Sequence, residues 1–309
     1  MDILVQQVVN GLVLGSMYAL VALGYSMVYG VLNLINFAHG DILMVGAMVG
    51  VTVVHACQAH GPPLPGLLVL LLAMLAAVPA CVVVNLLIER IAYRPLRHAP
   101  RLAPLISAIG SSVVLQTLAM LVFGRNPIIF PLVLSIEPYH LWGALISPTQ
   151  VLTLILAAVL MAGLVLLVER TRAGRAMRAV AENPRIAGLM GIDAVQVVRL
   201  AFALGAALAG VAGVMWGATY STTHFSMGFL PGLKAFSCAV LGGIGHLQGA
   251  VLGGLLLGLI ESIAGGYLGP LTGGVLGSQY QDIFAFLVLI GVLALRPSGL
   301  LGQRGHDRV

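Results

Sequence analysis

The sequence predicts an all-α, polytopic membrane protein. Its mean hydropathy is +1.05 over 309 residues, and 60% of the chain is hydrophobic against 8% charged. Apolar runs of roughly 20 residues, the length that crosses hydrocarbon, recur along it. A soluble core has no use for so much apolar sequence, whereas the 39 glycines suit close helix packing in lipid.

Spans are expected at about 5–29, 41–57, 66–88, 105–123, 150–168, 200–217, 247–264 and 281–295, within a single domain over 1–309. The net charge of +5 is arranged by topology, not in a polar domain that would hold nucleic acid. Arg90, Arg94, Arg97 and Arg101 share one loop, and Arg170, Arg172, Arg175, Arg178, Arg185 and Arg199 share a second. With Arg296, Arg304 and Arg308 at the C-terminus they make 13 of the 15 basic residues, so 89–104, 169–199 and 296–309 are expected on the cytoplasmic side. The N-terminus and 124–149 then fall on the periplasmic side. No cleavable signal peptide is expected, because the first apolar run starts at Ile3 without a basic n-region and runs well past signal length.

Parity tests this scheme. Eight spans from an outside N-terminus would leave the basic C-terminus outside. The conflict is removed if Leu233–Gly245 dips or crosses as a short broken helix before His246. A faint internal repeat supports it: Phe37-Ala38-His39-Gly40-Asp41 precedes Gly46-Ala47 at the same offsets as Ile244-Gly245-His246-Leu247-Gln248 precedes Gly253-Gly254. Each unit leads to an Arg-Pro pair, Arg94-Pro95 and Arg296-Pro297, and two such units would share one orientation, as parallel transporter repeats do.

The loop Glu169–Asp193 is the charged exception in this apolar chain. Ala173, Ala176, Met177 and Val180 recur at i, i+3, i+4 and i+7, the stripe of an amphipathic helix. Asn183 is placed to cap a second short helix that starts at Pro184 and ends near Gly191, with Ile186, Leu189 and Met190 on one face. Two readings stand: helices lying flat on anionic headgroups, or a surface offered to a soluble motor.

Polar residues interrupt the apolar sequence at two places. Asn36, His39 and Asp41 follow the first span; Gly242, Gly243, Gly245 and His246 interrupt the second half. Intramembrane polar groups usually face a cavity or one another, and broken helices expose ends that can face a solute. Asp41 would equally serve as a cap for the helix starting at Ile42 or as a packing contact. His39 and Asp41, two residues apart, share no helix face, so no metal site is expected. Cys57, Cys81 and Cys238 read as small buried hydrophobes. Glu261 and Asp282 flank the Gly-rich stretch 265–277 and are expected at the membrane interface.

The single lysine, Lys234, follows Leu233, so there is no GxxxxGK[ST] phosphate loop. Neither G-x-S-x-G, H-E-x-x-H nor a paired-carboxylate arrangement is present. The chain is not expected to be an enzyme or to hold a cofactor.

Three motifs together carry a resemblance across essentially the whole chain. The opening run Gly11-Leu12…Gly15…Tyr18-Ala19-Leu20…Asn36-Phe37-Ala38-His39-Gly40-Asp41, the loop Gly174-Arg175…Arg178-Ala179…Glu182-Asn183…Ala187…Gly191-Ile192, and Leu241-Gly242-Gly243-Ile244-Gly245…Gly249-Ala250…Gly253 resemble the permeases of bacterial branched-chain amino-acid ABC importers, the LivH type. The resemblance implies a multi-pass subunit of the bacterial inner membrane. Its partners would be a second related permease, two cytoplasmic ABC ATPases and a periplasmic solute-binding protein. The solute would be a branched-chain amino acid or a related small polar molecule such as urea or a short amide. Arg178, Glu182, Asn183, Pro184, Ile186, Gly188, Leu189, Met190 and Gly191 would then couple the ATPases to the membrane helices. A proton-coupled secondary transporter is the alternative; it would use Asp41, His39 or Glu261 as carriers and would need an ionisable pair deep within a span, which this sequence is expected to lack.

Overall fold

The computed structural model describes residues 2–60, 64–96, 99–100, 102–134, 137–141, 143–275 and 277–302; Arg97, Arg101, Arg304 and Arg308 lie outside the described residues. Among the described residues there are eleven α-helices: α1 Asp2–Leu32, α2 His39–His60, α3 Gly66–Ile88, α4 Leu102–Phe123, α5 Pro148–Arg170, α6 Arg172–Glu182, α7 Pro184–Leu189, α8 Ala194–Tyr220, α9 Phe229–Gly242, α10 Leu247–Leu271 and α11 Gln281–Leu295. Seven of them are long and apolar enough to cross a membrane; α9 and α11 are apolar but shorter. Each expected span coincides with a helix, so the chain is a polytopic helical membrane protein. Two short antiparallel strand pairs complete the described part: β1 Ile128–Ile129 with β4 Thr222–Thr223, and β2 Tyr139–Leu141 with β3 Ala144–Ile146.

Helix α1 is the axis of the bundle, buried along most of its length. It packs against α10 through two facing G-x-x-x-G pairs, Gly11 with Gly15 and Gly254 with Gly258, whose backbones touch directly. A Cβ on Gly15 would stand 2.8 Å from the Gly254 carbonyl oxygen. Helices α2 and α8 meet the same way, Gly46 on Gly210 and Gly213 on the backbone of Leu43. Without a hydrophobic force between helices in lipid, such close backbone approach supplies the packing.

The bundle has two distinguishable ends. At one, Gln6 exchanges hydrogen bonds with the Leu145 backbone at 3.1 and 2.8 Å, joining the start of α1 to β3 and α5. At the other, Gln248 of α10 donates to Glu169 of α5 at 2.9 Å, beside α6 and α7. The C-terminal segment returns to this second end, where the amides of Leu300 and Leu301 donate to the carbonyls of Leu241 and Gly242 at 2.8 and 3.0 Å. Arg199, at the start of α8, pairs at 3.9 Å with Glu89 in the π-helical turn that ends α3. The described arginines of all three basic segments therefore gather at one end.

Two segments turn back inside the bundle. After α1 ends, residues 33–38 re-enter it, so that His39, the first residue of α2, lies against Gly24 of α1 and Gly205 of α8. Gly24 is eight residues before the last residue of α1, about 12 Å at the helical rise. Between Tyr220 and Phe229 the chain runs inward from the β4 end, and Gly228 and Gly232 meet Gly40 of α2. The short α9 then reaches the second end alone. It stands where a short broken helix was expected at Leu233–Gly245, but begins earlier, at Phe229, and ends at Gly242.

Candidate functional site

Asn36, His39 and Asp41 are all buried, and each is tied to a neighbouring helix. Asn36 donates to Asn85 Oδ1 of α3 at 3.4 Å and accepts from the Tyr93 hydroxyl at 3.0 Å. Asp41, 1% exposed, does not act as a simple cap; its Oδ1 accepts from Gln116 Nε2 of α4 at 3.0 Å. The His39 ring stands edge-on to Tyr25, with centroids 4.9 Å apart, in a slot that exists because residues 24 and 205 lack a Cβ. Among the described residues neither imidazole nitrogen has a hydrogen-bond partner of normal geometry.

The glycine break adjoins this region. Gly243 and Gly245 have φ of +105° and +87°, conformations that glycine reaches without a steric cost. Gly242 packs on Gly249, and Gly243 lies against the backbone of Ser298 and Gly302. His246 is the N-cap of α10, its Nδ1 accepting from the Gly249 amide at 3.2 Å. Ile35 and Ile244 line one small cavity of about 10 Å³, together with Tyr25 and Phe236. The residue just before the first break and one within the second thus share a cavity.

In the loop, the stripe lies where its periodicity places it: Met177 and Val180 are buried, Ala173 and Ala176 half-buried. The face of α6 is spent on the bundle, and Arg178 donates to the Val168 carbonyl at the end of α5. Asn183 caps α7, its Oδ1 accepting from the amides of Arg185 and Ile186 at 3.0 and 3.1 Å. Helix α7 stops at Leu189, and Gly191 takes a φ of +82° just beyond it. Only Ala187 of α7 is buried. Ile186, Leu189 and Met190 are 58%, 83% and 78% exposed, and Glu182, Pro184, Gly188 and Gly191 also face outward.

One constellation escaped sequence reasoning. Lys234 of α9 is held at 2.6 Å by Glu261 Oε1 of α10 and at 2.7 Å by Asp282 Oδ1 of α11. The Tyr18 hydroxyl of α1 donates to Glu261 at 3.1 Å. Lys234 and Glu261 are 8% and 3% exposed, so two expectations are corrected: Glu261 sits not at the interface but in a buried ion pair, and the chain holds the ionisable pair it was expected to lack. The residues are 27 and 48 positions from Lys234 on different helices, so no spacing rule joins them. The available signal was the lone lysine in an apolar helix, which requires a partner.

Two cavities flank this cluster and share Leu14, Tyr220, Glu261 and Gln281. One, of about 310 Å³, is walled by Tyr18, Trp216, His224, Ser226, Leu230 and Lys234. The other, of about 380 Å³, runs toward the first end past Asn10, Gln7 and Gln150. Both mix polar and apolar walls, as small-solute sites do.

Residues 7–293 match the family described as branched-chain amino acid transport system / permease component. The chain is 43% identical to the high-affinity branched-chain amino acid transport system permease protein BraD of Pseudomonas aeruginosa, over 98% of this chain and 97% of the relative. It is 39% identical to the corresponding permease protein LivH of Escherichia coli K12 over the same shares, and 30% identical to a probable LivH of Methanocaldococcus jannaschii over 95% and 91%. No solved structure matches. With seven helices among the described residues long enough to span a membrane and an almost end-to-end match in hand, the chain belongs to the family of branched-chain amino acid transport permease components.

Proposed function

We propose that this chain is the membrane-spanning permease subunit of a bacterial ABC importer for branched-chain amino acids. A second related permease completes the pathway, a periplasmic binding protein delivers solute at the first end, and two cytoplasmic ATPases act at the second. The family match supports the class. The basic segments gathered at the second end support its cytoplasmic placement by the positive-inside rule, which puts the N-terminus in the periplasm. The two breaks, Asn36–Asp41 and Gly242–His246, serve as the point where the pathway closes on the cytoplasmic side.

The observation that carries the coupling role is α7. A helix with Ile186, Leu189 and Met190 exposed beyond the bundle has apolar surface to bury and no spanning length to bury it in lipid. Covering three such side chains in an ATPase groove is worth about 1.5–3 kcal/mol each before association costs. Nothing within 4 Å surrounds Gly188, so a bulky residue there disturbs only a docked partner.

The test is co-purification of the ATPases and ATP-driven leucine uptake in proteoliposomes. Leu189→Asp and Gly188→Leu are expected to lower both at least tenfold while the permease still inserts. Stoichiometric ATPase binding and wild-type uptake by Leu189→Asp would reject the coupling role and leave the loop on the membrane surface. The buried ionisable cluster also suits a proton-coupled carrier, and the same vesicles separate the two. Uptake driven by a proton gradient without ATP would favour the carrier.

A further inference from the structure

Resting on that reading, we propose that the Lys234–Glu261–Asp282 cluster is the permease's own recognition site for the α-ammonium group of an aliphatic amino acid, and that the subunit is therefore built for zwitterions, not for urea or neutral amides.

The argument begins with charge. Two carboxylates share one ammonium, at 2.6 and 2.7 Å, and among the residues lining the 310 Å³ cavity Lys234 is the one basic side chain fixed in charge. The cluster is one cation short. Uncompensated charge this deep is costly, and a second ammonium brought in by the solute would complete a two-cation, two-anion set. Glu261, 3% exposed and also bonded by Tyr18, lines the cavity and is the fixed carboxylate, whereas Asp282, which directly follows the lining residue Gln281 and has its side chain 37% exposed, is the one able to exchange partners.

Lysine has three N–H donors, two of which Glu261 and Asp282 occupy. The third is available to one oxygen of the solute carboxylate, and Ser226 and His224, 3.2 Å apart in the same lining, offer polar groups for the other. Leu14, Trp216, Met227 and Leu230 supply apolar lining for a branched aliphatic side chain. A neutral amide needs no counter-charge and would leave the excess carboxylate unpaired.

The membrane complex, both permeases with the ATPases but without the binding protein, reconstituted in nanodiscs, is the material for the test. Radiolabelled leucine is displaced by unlabelled leucine, by leucinamide, which keeps the ammonium, or by N-acetyl-leucine, which lacks it. The expected result is displacement by the first two and at least tenfold weaker displacement by N-acetyl-leucine and by acetamide. Asp282→Asn should weaken leucine binding at least tenfold, and Asp282→Glu should restore it. A cluster that merely locks α9, α10 and α11 together would lower the melting temperature without changing this selectivity. Equal displacement by N-acetyl-leucine, or no saturable leucine binding at millimolar concentration, overturns the proposal, and both are read on wild-type protein even if Asp282→Asn does not assemble. ATP-driven leucine uptake by the complete wild-type complex tests the transport reading separately. Its absence would sink that reading and leave the ammonium test standing.

Discussion

Asn85 is fully buried in α3, and its amide links three parts of the molecule. Its Nδ2 donates to the Phe202 carbonyl of α8 at 2.8 Å, while its Oδ1 receives the Asn36 amide from the re-entrant segment. Leucine at this position has a similarly branched shape but strips Asn36 of its acceptor, and a buried donor left unsatisfied costs about 1–3 kcal/mol. Asn85→Leu is therefore expected to lower the melting temperature of the purified permease by several degrees and to reduce uptake. An unchanged melting curve would show that the network holds nothing in place. The same residues show what sequence can and cannot reveal at this scale. Local devices are legible: Asn183 caps a helix whose first amides follow it directly in the chain, and the Met177–Val180 stripe needs only a helical period. A polar residue in an apolar run announces only that it needs a partner. That Asn36 finds Asn85, Asp41 finds Gln116, and Lys234 finds Glu261 depends on tertiary contacts that no spacing encodes.

Among the elements, α1 and α10 form the most intimate pair, and their seam is made of backbone. A Cβ on Gly258 would overlap Gly15 and stand 2.7 Å from the Gly11 carbonyl oxygen, atoms that cannot move without moving a helix. Gly258→Leu should abolish the monodisperse folded permease, whereas Gly163→Leu on α5, where nothing lies within 4 Å, should purify at wild-type yield. Equal yields would mean that the seam tolerates separation. Helix positions were legible because each span must be apolar over its own length, a property written locally. Where a helix begins in depth is not local. Residues 33–38 and 221–228 look like ordinary connections in sequence, and only the Gly24–His39 and Gly40–Gly228 contacts show that they run into the bundle. Helices α2 and α10 do run in the same direction, as a repeat requires, yet their surroundings differ: His39 is enclosed by α1 and α8, whereas His246 caps its own helix.

For the whole molecule, the proposed topology rests on two constraints, the distribution of basic residues and the path of the helices. The basic residues alone put 89–104, 169–199 and 296–309 on one side, and the helix count meets that only if α9 returns the chain from the β4 end to the Gln248 end. The contacts at each end link segments far apart in sequence, Gln6 with Leu145 and Glu169 with Gln248, so the two faces cannot be exchanged piecemeal. A single orientation then governs every exposed site. With Cys57, Cys81 and Cys238 replaced, a cysteine at position 185 on exposed α7 and one at exposed position 137 should label from opposite sides. An impermeant maleimide applied to spheroplasts should modify Glu137→Cys several-fold faster than Arg185→Cys, and inverted vesicles should reverse the order. Labelling of position 185 from outside would invert the molecule. It would place α7 where no ATP is available and remove the coupling role, while leaving the helical bundle and its buried charges as they stand.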